Sequence, residues 1–159
     1  MRRAALAALL ALMLAGGAAA TERRPFRQGS WAEITGAHAG RPLAVHFWSL
    51  TCAPCLIELP RWAEFRRANP GVAVVFVSTD PPEDAERGAA VLAKAGLADI
   101  PSWGFADPFA EKLRFEIDPR WRGELPRTVL IAADGSRRSV SGADLAAVEG
   151  WVAETVAVR

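Results

Sequence analysis

Two runs of large and β-branched residues, Leu43-Ala44-Val45-His46-Phe47-Trp48 and Val72-Ala73-Val74-Val75-Phe76-Val77, constrain this chain more than anything else in it. Neither run alternates polar with apolar residues, the pattern of strands buried on both faces. Between them Leu56, Leu59 and Ala63, flanked by Trp62 and Phe65, recur at helical spacing. Arg61, Glu64, Arg66 and Arg67 point outward, and Asn69-Pro70-Gly71 stops the pattern. A strand, a helix and a second buried strand make a βαβ unit, whose strands are parallel and joined right-handedly.

The remainder continues the theme. Glu83 to Ala95 reads as a second helix ended by Gly96, and Ser102 to Phe105 as a short extended piece. Asp107 is expected to cap a brief helix through Phe115, and residues 119 to 124 form a loop. Arg127 to Ala132 and Arg137 to Val140 flank Ala133-Asp134-Gly135-Ser136 as a hairpin, and Ala143 to Val156 reads as a terminal helix. Upstream, residues 21 to 42 hold a short entry helix or an edge element around Ser30-Trp31-Ala32-Glu33-Ile34. The predicted class is α/β, a mixed central sheet with helices on both faces.

The first 20 residues read separately. Arg2 and Arg3 precede an apolar stretch of 12 residues, Ala4 to Ala15, and Ala18-Ala19-Ala20 supplies small residues for cleavage. The expected organisation is a signal peptide over 1–20 and one domain over 21–159, located in the periplasm or otherwise outside the cytoplasm. An uncleaved anchor is the alternative, although the stretch is shorter than the ~20 residues that span a bilayer. Removing the leader leaves 17 basic against 18 acidic residues, so a nucleic-acid partner held by bulk charge is not expected.

The only cysteines are Cys52 and Cys55, in Cys-Ala-Pro-Cys directly after the first buried strand and at the start of the helix. A structural clip is a weak alternative, since closing a loop of about four residues constrains the unfolded chain little. With Thr51 or Cys52 as N-cap, Pro54 falls in the first turn, where its missing N–H costs nothing. Residues one turn apart lie roughly 5 Å apart at their alpha carbons, within reach of a disulfide. The helix N-terminus favours a thiolate at Cys52, so Cys52 attacks and the shielded Cys55 acts second. Glu58 shares the face of Cys55 one turn on, and its bland alternative is a solvated charge beside Arg61.

The segments Phe47-Trp48-Ser49-Leu50-Thr51-Cys52-Ala53-Pro54-Cys55-Leu56-Ile57-Glu58-Leu59-Pro60 and Gly123-Glu124-Leu125-Pro126-Arg127-Thr128-Val129-Leu130-Ile131 resemble the thioredoxin fold. Within it they are similar to exported thiol-disulfide oxidoreductases of the TlpA, ResA and cytochrome c-maturation type. The resemblance runs from about Leu43 onward and implies that the helix near Glu83–Ala95 is that branch's insertion. It implies a protein-disulfide oxidoreductase with a redox disulfide Cys52–Cys55, acting in cytochrome c maturation or periplasmic thiol reduction. Protein thiols and disulfides would be substrates, with a membrane or periplasmic redox partner, a monomeric state, and no cofactor or metal. It further implies proton transfer by Glu58, a cis-proline at Pro126, and for His46 a buried position behind the second cysteine, where the imidazole would relay the same proton near neutral pH or, alternatively, stand only as a hydrogen-bonded core residue. Leu125 then offers a substrate-docking edge beside Arg127, whose charge would favour the Cys52 thiolate or an acidic partner, the alternative being a surface ion pair. Thr51 stands where the family usually has Trp, and Arg127 where it often has Thr.

Two other readings compete. Paired thiolates suit Cu(I), which would make the chain a metallochaperone, but both methionines lie in the leader and only two histidines remain. A peroxide-reducing enzyme would want Thr three residues before the attacking cysteine, where Ser49 stands.

Overall fold

The computed structural model describes residues 23–156, so the expected leader lies outside the described residues. Six strands form one mixed sheet. In chain order the elements are β1 (Arg24–Phe26), α1 (Ser30–Ala37), β2 (Leu43–Trp48), α2 (Ala53–Ala68) and β3 (Ala73–Ser78). A 3-10 turn (Pro82–Asp84) then leads into α3 (Ala85–Lys94), β4 (Ser102–Phe105), α4 (Ala110–Ile117), β5 (Arg127–Ile131), β6 (Arg137–Ser141) and α5 (Leu145–Val156). The strand order is β1-β4-β3-β2-β5-β6. β1, β4, β3 and β2 run parallel, while β5 and β6 are antiparallel to their neighbours.

β2 and β3 are buried along their whole length, as their unbroken apolar runs require. Side chains alternate across the sheet and fill two cores. Ala44, Trp48, Phe76 and Leu130 pack with Cys55, Leu59 and Trp62 of α2, Leu92 of α3, and Leu145, Val148 and Trp151 of α5. On the other face Val45, Phe47, Val75 and Val129 meet Trp31 and Ile34 of α1 and Leu113 and Ile117 of α4. Trp48 belongs to the core, only 1% exposed.

Several boundaries differ from expectation for local reasons. The segment 21–42 holds both an edge strand and a helix. Asp107 does not cap α4 directly: its Oδ1 accepts from the Phe109 amide at 2.9 Å, a turn that delays the helix to Ala110. The hairpin turns at Gly135, whose φ of 85° is a left-handed conformation glycine adopts without cost. The expected inward face of Val156 lies outside the described side chains.

Candidate active site

β2 ends at Trp48, and the chain turns through Ser49-Leu50-Thr51 into α2 with Cys52 as its N-cap. Cys52 is extended (φ −94°, ψ 95°), and its sulfur accepts the Cys55 amide at 3.2 Å. Pro54 sits in the first turn, where the absent N–H leaves no bond unmade. Cys52 and Cys55 form a disulfide with alpha carbons 5.2 Å apart. Cys52 is half-buried, whereas Cys55 is completely buried beneath it. Only the first sulfur is placed for an incoming partner.

One turn along α2 from Cys55 the core turns polar. His46 is completely buried and Glu58 only 4% exposed, with the His46 Nε2 lying 3.2 Å from Glu58 Oε1. That contact is too poorly aligned for a hydrogen bond, and Nδ1 bonds instead with the Thr128 hydroxyl at 3.0 Å. Thr128 faces His46 across the β2–β5 ladder. Trp62 Nε1 donates to Glu58 Oε1 at 3.2 Å, and the His46 ring packs against those of Trp62 and Phe76, with centroids 4.7 and 4.9 Å away. Burial raises the Glu58 pKa, opposed by the Trp62 hydrogen bond and the Arg61 charge. Burial drives the His46 pKa down to about 3, so the ring is neutral at physiological pH.

The depressed pKa makes stability depend on pH. Between the unfolded value near 6.5 and about 3, the unfolded chain binds a proton at His46 that the folded chain refuses, so stability falls as pH falls through that window. Wild type is expected to lose several kcal/mol more than His46→Asn between pH 7 and pH 4 in denaturant titrations, on the order of 1.4 kcal/mol for each pH step of one crossed inside the window. Parallel slopes for the two proteins would exclude a neutral buried imidazole.

The second predicted segment is divided by the sheet. The Leu125–Pro126 peptide is cis, Leu125 packs against both cores, and the Pro126 carbonyl accepts the Gly142 amide at 2.8 Å. The Arg127 side chain does not join the cysteines. It follows the alternation of β5 onto the face opposite His46 and Thr128, opposite Phe47 in the register. There it is buried, held by Asp118, by Glu124 Oε1 at 3.0 Å and by Ser141 Oγ at 3.3 Å, with Trp121 beneath its guanidinium. The Arg120 amide, reinforced by the Arg127 charge, holds the Asp118 carboxyl below its usual range.

One buried group at the site carries no motif that marks it in the sequence. Asp80, 6% exposed, follows β3 and takes the Leu50 amide on both carboxylate oxygens (2.9 and 3.2 Å), the Ser49 hydroxyl at 2.9 Å and the Ser78 hydroxyl at 2.6 Å. It ties the cysteine loop to the end of the neighbouring strand. Asp80-Pro81-Pro82 reads as a turn in the sequence. The legible signal is the pair of hydroxyl residues ending a strand that borders the one carrying the cysteines.

Among the described residues no three His, Cys, Asp or Glu side chains gather as metal ligands, and no helix is long and apolar enough to cross a membrane. No family model and no curated protein matches the chain. Solved structures do. A putative thiol:disulfide interchange protein DsbE from Chlorobium tepidum aligns at 21% identity and a TM-score of 0.58, covering 76% of this chain and 83% of that one. A thioredoxin-like protein studied in its oxidised form aligns at 21% identity and 0.59, covering 74% and 78%. A secreted Mycobacterium tuberculosis disulfide oxidoreductase, described as homologous to Escherichia coli DsbE, aligns at 24% and 0.54, covering 67% and 72%. With its β2–α2–β3 unit, its antiparallel β5–β6 hairpin and these neighbours, the chain has the thioredoxin-like fold.

Proposed function

We propose that this chain is an exported protein-disulfide oxidoreductase that passes two electrons between its cysteine pair and partner proteins. The observation that carries the reading is the asymmetry of the disulfide: Cys52 caps a helix and is half-buried, and Cys55 is completely buried one turn before the buried Glu58 on the same helix. In the reducing direction the Cys52 thiolate attacks one sulfur of a partner disulfide. That bond breaks, the partner's other sulfur leaves as thiolate, and a mixed disulfide forms. Cys55, having lost its proton, then attacks the Cys52 sulfur, closes the Cys52–Cys55 bond and releases the partner as a dithiol. The oxidising direction is the same sequence reversed.

The thioredoxin-like neighbours support protein thiols as substrates, and the secreted one among them supports extracytoplasmic work. As part of the same proposal, the leader over 1–20 is removed and the domain over 21–159 acts as a monomer. A place in cytochrome c maturation or general thiol reduction belongs to the same proposal. Purified protein should catalyse reduction of a model protein disulfide in the presence of a reductant. No turnover at any supplied potential would end the reading.

Resolution requires a base for Cys55, and Glu58 is the group placed one turn along its face. Its raised pKa means that the carboxylate able to take the proton appears only as pH climbs above the ordinary range for glutamate. Glu58→Gln keeps the shape and removes the base. Exchange near neutral pH should then drop on the order of 10²-fold, the lower end for a positioned acid–base group, and the rate profile should move to higher pH. An unmoved profile would leave Glu58 a structural partner of Trp62.

A further inference from the structure

The hydrogen bonds around Asp80 have a fixed direction. A carboxylate offers only lone pairs, so Ser49 spends its single hydroxyl proton on Asp80 Oδ1. Its oxygen is left with two acceptor positions. The Thr51 amide fills one at 3.1 Å, and the Thr51 hydroxyl lies at 2.9 Å on the other. With the Ser49 proton committed, the Thr51 hydroxyl must be the donor in that pair. Its oxygen keeps its lone pairs free, on an exposed residue adjacent to Cys52. The base of the relay is itself anchored: Ser78 Oγ accepts the Asp80 amide at 3.0 Å, and Arg23 donates to the Asp80 carbonyl at 2.8 Å.

We propose that Asp80 is a positioning residue that, acting through Ser49, fixes the Thr51 hydroxyl as a hydrogen-bond acceptor at the mouth of the redox loop, where it receives a backbone N–H of a polypeptide substrate. The inference rests on the thiol-exchange reading and adds to it a preference for peptide over non-peptide disulfides. An unanchored threonine could donate or accept, and would discriminate less. Here the buried carboxylate removes that choice, so a substrate presenting a carbonyl at this point meets lone pairs and a substrate presenting an amide meets a partner.

The test compares reduced protein acting on a cystine-bridged peptide and on dithiobis-nitrobenzoate, a disulfide without N–H groups. Thr51→Val, which keeps the shape and removes the hydroxyl, should lose about fivefold in kcat/KM on the peptide, the middle of what one net hydrogen bond supplies. Thr51→Ser should restore it. Ser49→Ala, which severs the relay and leaves Asp80 bonded to Leu50 and Ser78, should lose a similar factor. All three should stay within about twofold of wild type on the non-peptide disulfide.

Equal losses on both substrates, or an undiminished peptide rate in Thr51→Val, would overturn the acceptor role. Full peptide activity in Ser49→Ala would overturn the relay from Asp80. Amide hydrogen exchange supplies a readout that needs no substrate: the Leu50 and Thr51 amides should be protected in wild type, and Thr51 should lose protection in Ser49→Ala. Wild type inert toward both disulfides while those amides remain protected would defeat the thiol-exchange reading and the role of Thr51 with it, separately from the Asp80 relay.

Discussion

Cys52→Ser is expected to reduce disulfide exchange to the rate of the protein-free reaction, and Cys55→Ser to accumulate a covalent adduct with the partner protein through Cys52. The two outcomes differ because the two sulfurs differ in position. Cys52 is half-buried at a helix N-cap, where unpaired amides and the helix dipole favour a thiolate, and its sulfur already accepts the Cys55 amide at 3.2 Å. A serine there has no comparable anion to offer at neutral pH. Cys55 has no exposed surface, so it meets no partner sulfur until the partner is attached to Cys52. Replacing it removes the resolving step alone. Intact-mass spectra of Cys55→Ser after incubation with a protein disulfide should show one bound partner released by reductant. Full turnover in Cys52→Ser, or an adduct in the double variant, would refute the mechanism.

The scaffold is legible in the sequence where apolar runs are continuous, and the chemistry where residue types are rare. β2 has the boundaries its apolar run predicts and β3 lies within one residue of them, because a strand buried on both faces leaves an unbroken apolar run. The cysteine pair is legible because a strand-to-helix junction fixes where a Cys-x-x-Cys points. β1 is no more than an undecided edge element in the sequence, since three residues with a single buried side chain, Phe26, carry no periodicity. Adjacency to Pro126 suggests a place near the cysteines for Arg127. A strand sends consecutive side chains to opposite faces, so its ion pairs with Asp118 and Glu124 lie across the sheet. Asp80 is hidden for the converse reason: its partners, Ser49 and Leu50, are 31 and 30 residues away in the chain and meet it only because β2 and β3 are neighbours.

Trp62 joins this scaffold to its chemistry, and Trp62→Ala should be among the most damaging single changes to stability. The indole is 1% exposed and packs edge-on against Phe65 and Phe76 and beside the His46 ring. Truncating a buried aromatic residue to alanine typically costs about 3–5 kcal/mol, through lost burial and the cavity that remains. That is a large share of the roughly 5–15 kcal/mol that holds a domain folded. The loss has a second part. Trp62 Nε1 donates to Glu58 Oε1, and that bond opposes the burial that raises the Glu58 pKa. Without it, the Glu58 pKa should rise further, so the carboxylate forms only at higher pH. Trp62→Phe separates the two effects, keeping most of the ring packing while deleting the donor. It should cost on the order of 1–3 kcal/mol for the unpaired carboxyl and the smaller ring, and its exchange rate should rise with pH along a profile displaced upward from wild type. Urea denaturation of the three proteins, read beside their pH–rate profiles, would check both parts. A destabilised Trp62→Phe with an unshifted profile would confine Trp62 to packing and remove it from the proton chemistry at Cys55.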